Sequence, residues 1–314
     1  RVIEPLKKIG INFYPPQKSK LPIYIKGSNY LRPINYFENR GSAQCKTCVM
    51  LASLNVPGIT KIKAKVSRDH TEKMFRSLNV PMKIKKTGKY DYITVSRPNF
   101  IKKIDFNIPG DISSAAFFIV LTLLSEKSKL TLKNININSS RIGVIKILNK
   151  MGAKIQFKNS KIINGERCSD IKVKSIKKLK GINCPVSLNS AAIDEFLIIF
   201  LVAAKSKGIS YFKNLSELNQ KESPRLKIAA KILKMMGVKL NYDSSSIKIY
   251  GNPNLKLSKK IIIKNFLKDH RVFMMSVIAA LSFGGKWKIF DPDSIKTSFP
   301  SFFLKIKEIG AKIK

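Results

Sequence analysis

One pattern recurs along the whole chain and limits what it can fold into. Five segments, PLKKIGINF (5–13), MFRSLNVPMKI (74–84), ILNKMGAKI (147–155), ILKMMGVKL (232–240) and FLKIKEIGAKI (303–313), each read as the end of an amphipathic helix followed by an alternating strand. A Gly or Asn stands at each break, at positions 10, 79, 152, 237 and 310, so the intervals run from 69 to 85 residues. These residue types take the left-handed backbone that closes a helix. A second pattern falls between the first: 42–64, 113–135, 190–215 and 269–291 each open at a polar loop, continue as an apolar helix rich in small residues, and end in an alternating strand.

A unit therefore reads helix, strand, helix, strand, with further strands in the linking segments. Its length is too great for a solenoid repeat and suits a small α/β subdomain packed against its copies. Four units follow half of another, because 1–13 carries the second helix without its first. The chain also begins at Arg1 in mid-pattern without an initiator Met, so a fragment is the expectation. DFNIPGDISSAAFF (105–118) joins a Pro-Gly turn to an Asp-Ser-Ser helix start, which predicts a domain crossing at 108–110.

The largest apolar run, FLIIFLVAA (196–204), is far short of the roughly 18 residues that span a bilayer and predicts a buried helix. The formal charge is +41, but only ten of the 60 basic residues are Arg, and the lysines are spread through almost every segment. A nucleic-acid binder would concentrate them on one face or arm. Even spreading fits coding bias with solvated lysines, and no nucleic-acid partner is expected. Four cysteines, at 45, 48, 168 and 184, are few for this length and point to a reducing, cytoplasmic setting. Cys45 and Cys48 form a CxxC, but the second pair has no matching spacing and the segment reads as helix. They are expected to pack, with no metal.

The polar residues of each unit stand at helix starts: Ser42 and Gln44; Ser67, Arg68, Asp69 and His70; Lys221, Glu222 and Arg225; Asp269, His270 and Arg271. Helix N-termini offer N–H groups and partial positive charge to phosphate or carboxylate, and repeat symmetry would gather several into one cleft. Ser and Asp are also ordinary N-caps. Arg68, Arg225 and Arg271 tip the balance, since Arg in a Lys-dominated chain points to bidentate recognition of an anion. The stretch from Asp194 to Arg225 begins with two carboxylates, Asp194 and Glu195, at an apolar helix start. It ends with Lys221, Glu222 and Arg225 in five residues. Carboxylates beside Lys and Arg are what proton transfer at an anionic substrate requires; the bland reading is a capped helix and a solvated cluster.

GSAQCKTCVMLASLNVPG (41–58), SRDHTEKM (67–74), PGDISSAAFF (109–118), RIGVIKILNKMGA (141–153), IDEF (193–196), KESPRL (221–226), DHRVFMM (269–275) and TSFPSFF (297–303) together resemble the 3-phosphoshikimate 1-carboxyvinyltransferase, or EPSP synthase, family. The resemblance covers essentially the whole chain. It implies a two-domain inverse α/β barrel of βαβαββ copies, about four and a half of six being present. Residues 1–108 would be the later part of one domain, and 109–314 would be the other without its N-terminal strand. It implies transfer of the enolpyruvyl group of phosphoenolpyruvate to the 5-hydroxyl of shikimate 3-phosphate, with no cofactor or metal, by a cytoplasmic monomer whose partners are small molecules.

By resemblance, Asp194 is the base and a shikimate contact, Glu222 the general acid and Lys221 a shikimate-phosphate contact. Arg225 and Arg271 match the phosphoenolpyruvate clamp. Ser42, Ala43 and Gln44 match the loop holding shikimate phosphate and ring, with Gln44 close to both substrates, and Ser67 and Arg68 match a second phosphate loop. His70 and His270 are read as structural. Where the family has RVKESDR this chain has NQKESPR, so Asn219 and Pro224 replace an Arg and an Asp that would brace Arg225 and Glu222. Pro suits a first helical turn. The family's Lys-Ser and Arg start, its Gly-rich loop and a further clamp Arg would lie upstream of Arg1, so the chain alone is expected to turn over little. Three competing readings are a UDP-N-acetylglucosamine carboxyvinyltransferase, a basic nucleic-acid-binding module and an inactive product. The first lacks matches to SAQ, SRDHTE and its own Cys-bearing loop.

Overall fold

The structure is a computed structural model that describes residues 1–17 and 21–313. The chain divides into two compact units, one of Arg1–Ile108 with Ile162–Glu166, the other of Pro109–Lys161 with Arg167–Lys314.

The first unit opens with helix α1 (Ile3–Ile9) and the antiparallel pair β1 (Asn12–Tyr14) and β2 (Tyr24–Lys26). A complete copy follows: β3 (Asn35–Glu38), α2 (Ala43–Ser53), β4 (Ile59–Lys65), α3 (His70–Ser77), β5 (Met82–Lys86) and β6 (Tyr90–Ser96). Its sheet has the order β3-β4-β6-β5, with β3 and β4 parallel and the other pairs antiparallel. In β4, ITKIKAK alternates strictly, so Thr60, Ile62 and Ala64 face the core while the lysines face solvent.

The second unit repeats this order. Its first copy has α4 (Ile112–Leu124), β7 (Lys129–Asn136), α5 (Gly143–Lys150), β8 (Gln156–Ile163) and β9 (Glu166–Lys174), with sheet order β7-β9-β8. The next has α6 (Asn189–Ala192), α7 (Phe196–Lys205), β10 (Gly208–Phe212), α8 (Arg225–Met235), β11 (Lys239–Tyr242) and β12 (Ile247–Gly251), in sheet order β10-β12-β11. Residues 180–183 bridge to β10 in parallel and stand as its leading strand. The last copy pairs β13 (Leu257–Ile263) in parallel with β14 (Gly284–Ile289) across α9 (His270–Phe283), and ends in α10 (Phe302–Glu308). No strand follows α10 among the described residues, although the sequence pattern predicts an alternating strand at GAKI (310–313).

The five predicted helix endings share one geometry. Gly10, Asn79, Gly152, Gly237 and Gly310 all have positive φ, between 54° and 115°. At each, the next residue's N–H reaches back to a carbonyl five positions earlier: Ile11 to Leu6, Val80 to Phe75, Ala153 to Leu148, Val238 to Leu233 and Ala311 to Ile306. This is the Schellman closure, which satisfies carbonyls the helix cannot and turns the chain into a strand.

Helices α4, α7 and α9 form the centre of the second unit and pack on one another. Every residue of α4 except Ser114 is buried, and every residue of α7 except Lys205, because both are apolar on all sides. The sheets lie outside them, so helices are inside and strands outside. The three helices run parallel, as contacts at both ends show. At the start, Glu195 accepts from Ser113 of α4 and faces Arg271 of α9. At the finish, Lys205 Nζ donates to the carbonyls of Leu124 in α4 and Ser282 in α9, at 3.4 and 3.0 Å. No helix is long and apolar enough to cross a membrane among the described residues.

Candidate active site

In the first unit, two loops follow the carboxyl ends of the parallel neighbours β3 and β4, where α/β sheets usually hold ligands. The first loop is wrapped round the buried Glu38 carboxylate, which accepts from the N–H groups of Arg40, Gly41 and Ser42 at 3.1, 2.7 and 3.0 Å. Ser42 caps α2, its Oγ accepting from Cys45 N–H at 3.3 Å. Ala43 and Gln44 form the first turn, with Gln44 exposed. The second loop carries Ser67 and Arg68. It is pinned by Lys46 of α2, which is fully buried and donates to Glu72 at 2.5 Å and to the Arg68 carbonyl at 2.9 Å. Thr47 and Thr71 add a hydroxyl pair between α2 and α3. The Ser67 Oγ is buried without a hydrogen-bond partner among the described residues. His70 Nδ1 lies 2.5 Å from Glu166 of the same unit, a contact that fastens the start of α3. Cys45 is buried and Cys48 half-buried on α2, where both pack.

In the second unit, the starts of α4, α7, α8 and α9 meet. Arg225 is 1% exposed and is the hub. Its Nε donates to Asp269 at 2.8 Å, its Nη1 to Asp194 at 3.4 Å, and its Nη2 to Glu222 at 2.5 Å and to Asp269 at 3.3 Å. Asp269 also caps α9, accepting from Arg271 N–H at 2.9 Å and from the Ser223 hydroxyl at 2.8 Å. Burial alone would raise the Asp269 carboxyl. The hydrogen bond and charge of Arg225, joined by Ser223 and the Arg271 N–H, outweigh it and hold the group below the usual Asp value. His270, beside it, is pushed below the usual His value, first by burial and then by Arg271.

Asp194 sits among cations. Lys221 Nζ is 3.7 Å from its carboxylate, Arg225 Nη1 3.4 Å and Arg271 Nη2 4.0 Å, while Arg271 Nη1 donates to its backbone carbonyl at 3.0 Å. Glu222 is more exposed, on the outer side of Arg225. The five site residues that the sequence places in this unit, Asp194, Lys221, Glu222, Arg225 and Arg271, therefore come together. Ser42, Ala43, Gln44, Ser67 and Arg68 gather separately in the first unit.

Three supporting groups take roles that the sequence did not assign to them. Asp269 was legible only as a cap. Glu195 is 3% exposed and joins α4 to α9. Arg141, one of the ten arginines and standing just before α5, donates to Asp111 at 3.0 Å and to Ser113; the same scarcity argument that singled out Arg68 would have found it. The two departures are accommodated. Asn219 donates to the Ser244 carbonyl at 3.0 Å and accepts from Lys227 N–H at 3.3 Å, tying the turn before α8 to that helix. Pro224 occupies the N-cap position of α8, one residue before the first turn where it was expected, and the brace on Arg225 comes from Asp269.

Parallel buried helices, outer sheets and a carboxylate ringed by cations at the helix starts define an α/β transferase of anionic substrates. The family model for EPSP synthase (3-phosphoshikimate 1-carboxyvinyltransferase) matches residues 1–306. The chain is 39% identical over 314 residues to a 3-phosphoshikimate 1-carboxyvinyltransferase of Ruthia magnifica subsp. Calyptogena magnifica, covering all of this chain and 70% of the relative. It is 35% identical over 318 residues to that of Zymomonas mobilis subsp. mobilis, with the same coverage. An EPSP synthase structure from Acinetobacter baumannii superposes with a TM-score of 0.85 at 32% identity, over all of this chain and 71% of that one. The enolpyruvyl transferase NikO of Streptomyces tendae shares the fold, with a TM-score of 0.74 at 13% identity. The chain belongs to the EPSP synthase family.

Proposed function

We propose that the chain serves the transfer of the enolpyruvyl group from phosphoenolpyruvate to the 5-hydroxyl of shikimate 3-phosphate, a step toward aromatic amino acids. The observation that carries the residue roles is Asp194 held among Lys221, Arg225 and Arg271, with Glu222 on Arg225. Asp194 takes the proton of the 5-hydroxyl as its oxygen bonds to C2 of phosphoenolpyruvate, and Glu222 protonates C3. The tetrahedral intermediate then loses phosphate, and C3 gives back a proton to restore the double bond. Arg225 and Arg271 hold the carboxylate and phosphate of phosphoenolpyruvate, and their charge favours the anion that builds up. Lys221 meets the shikimate phosphate. Ser42, Ala43, Gln44, Ser67 and Arg68 bind shikimate 3-phosphate at helix starts suited to a phosphate, and Gln44 also meets phosphoenolpyruvate.

The two compact units are the later part of one substrate-binding domain and most of the other. The enzyme works in the cytoplasm as a monomer, without metal or organic cofactor. In protein that includes the stretch by which the relatives exceed this chain, Asp194→Asn or Glu222→Gln lowers phosphate release by at least about a hundredfold. Calorimetry should show both substrates still bound. Full turnover in both variants removes the assigned roles.

A further inference from the structure

Glu195 is the most deeply buried carboxylate at the start of α7, and the roles above leave it unused. Its Oε1 accepts from the hydroxyl of Ser113, which itself accepts from Arg141 Nη2, and Arg271 Nη1 stands 3.8 Å away on the other side. One carboxylate is therefore shared by two guanidiniums on different elements, Arg141 before α5 and Arg271 in α9. A charge this buried is costly unless its partners hold it, and a methylene chain would fill the space at less cost. Helix capping does not explain it: Glu195 is the N-cap residue of α7, but its side chain makes no capping hydrogen bond to that helix, and Asp111 and Asp269 cap α4 and α9.

We infer that Glu195, anchored by Ser113 and Arg141, is a positioning residue for Arg271, fixing the guanidinium in the pose in which it meets phosphoenolpyruvate. Arg271 Nη1 donates to the Asp194 carbonyl at 3.0 Å and forms an ion pair with the Glu195 carboxylate at 3.8 Å. The hydrogen bond directs the nitrogen and the ion pair draws the guanidinium to the same side, and a guanidinium so restrained loses less freedom when an anion arrives. The groups that face Glu195 are Arg271 from α9, Ser113 from α4, Arg141 from the loop before α5, and Asp194 in its own segment.

The inference rests on the reading of Arg271 as a phosphoenolpyruvate contact, and two independent readouts separate the two. Without ligand, carbon-13 carboxyl resonances of the 314-residue chain are titrated, with Glu195→Gln used to assign the signal. Arg141→Met and Arg271→Met should each move the Glu195 midpoint upward, since each removes a counter-ion. A midpoint unmoved by Arg141→Met overturns the shared carboxylate. With ligand, in protein that includes the stretch by which the relatives exceed this chain, Glu195→Gln should weaken phosphoenolpyruvate binding by about tenfold and leave shikimate 3-phosphate within about twofold. Glu195→Asp should fail to restore it, being one methylene short. The phosphoenolpyruvate affinity of Glu195→Gln should also lose the part of the wild-type pH dependence that follows the Glu195 titration. If Glu195→Gln binds phosphoenolpyruvate more tightly, Glu195 only offsets charge and the inference is overturned; equal weakening toward both ligands marks general damage and overturns it as well. If the wild-type protein that includes the stretch by which the relatives exceed this chain ignores phosphoenolpyruvate, the ligand reading alone is refuted, and the titration still decides the pairing.

Discussion

The two ends of the α4, α7 and α9 bundle face the same electrostatic problem with opposite sign. Three parallel helices stack their dipoles, leaving positive ends together at one side and negative ends at the other. At the negative end one side chain among the described residues donates to the helix ends: Lys205 reaches carbonyls of α4 and α9 and lies over the ring of Phe283. At the positive end stand Asp111, Asp194, Glu195 and Asp269, and with them Arg141, Arg225 and Arg271. If one lysine suffices for the fold at one end, the surplus at the other is not there for the fold. The carboxylates there are also matched with arginines, which adds no compensation to the dipoles and makes a structured place for an anion.

That contrast can be broken in several ways, beginning with Asp269. Asp269→Asn removes the charge that Arg225 is built around, and a buried cation left short of its partner should cost about 3 kcal/mol in urea unfolding. An unchanged midpoint would mean that Asp194 and Glu222 alone hold Arg225. Lys205→Met tests the other end. Its loss should cost about 1 kcal/mol by thermal unfolding and leave phosphoenolpyruvate binding unchanged; weakened binding would show that the ends are not separable.

The next effect is one of slope. Burial first, and Asp194 with it, raise Glu195 above the usual carboxylate value, against the pull of Arg271 and Arg141. The folded chain then holds a proton that the unfolded chain has lost, so this contribution to stability is present at low pH and is lost as pH rises through the folded value. Glu195→Gln should remove that loss, and its stability relative to wild type should climb with pH. Asp269, held low, has the opposite sign: its contribution is present above the ordinary Asp value and is lost on acidification. Urea midpoints carried from below the ordinary Asp value up to neutral pH distinguish the two. The smallest effect is at Pro224, where Pro224→Asp restores a preferred N-cap residue to α8 and should add about 0.5 kcal/mol.

What the chain reveals before folding is mostly local. The five helix endings were legible because a closure needing positive φ admits few residue types, and Gly10, Asn79, Gly152, Gly237 and Gly310 are those types. The α/β class and the core helices followed from FLIIFLVAA and its equivalents, which have no polar face to turn outward. The pairings that brace the site were not legible. Lys46 finds Glu72 across 26 residues, Arg225 finds Asp269 across 44, and Ser113 finds Glu195 across 82. Nothing in a one-dimensional pattern says which of two adjacent carboxylates, Asp194 or Glu195, is drawn inward. That depends on the neighbouring helices. That GAKI after α10 forms no strand among the described residues was equally hidden, since it alternates there as it does in the earlier copies.

Because α7 is fastened to α4 and α9 at both of its ends, none of the three can fray without disturbing the others. Their amides should therefore exchange with solvent in one slow, shared opening, and the outer helices α5 and α10 should exchange earlier. Lys221 and Glu222 belong to the turn before α8, outside the three helices, and are tied to them through Asp194 and Arg225. The proposed acid is thus held by one side chain at the rim, while Asp194 and Arg271 stand at the edge of the part of the molecule that opens last.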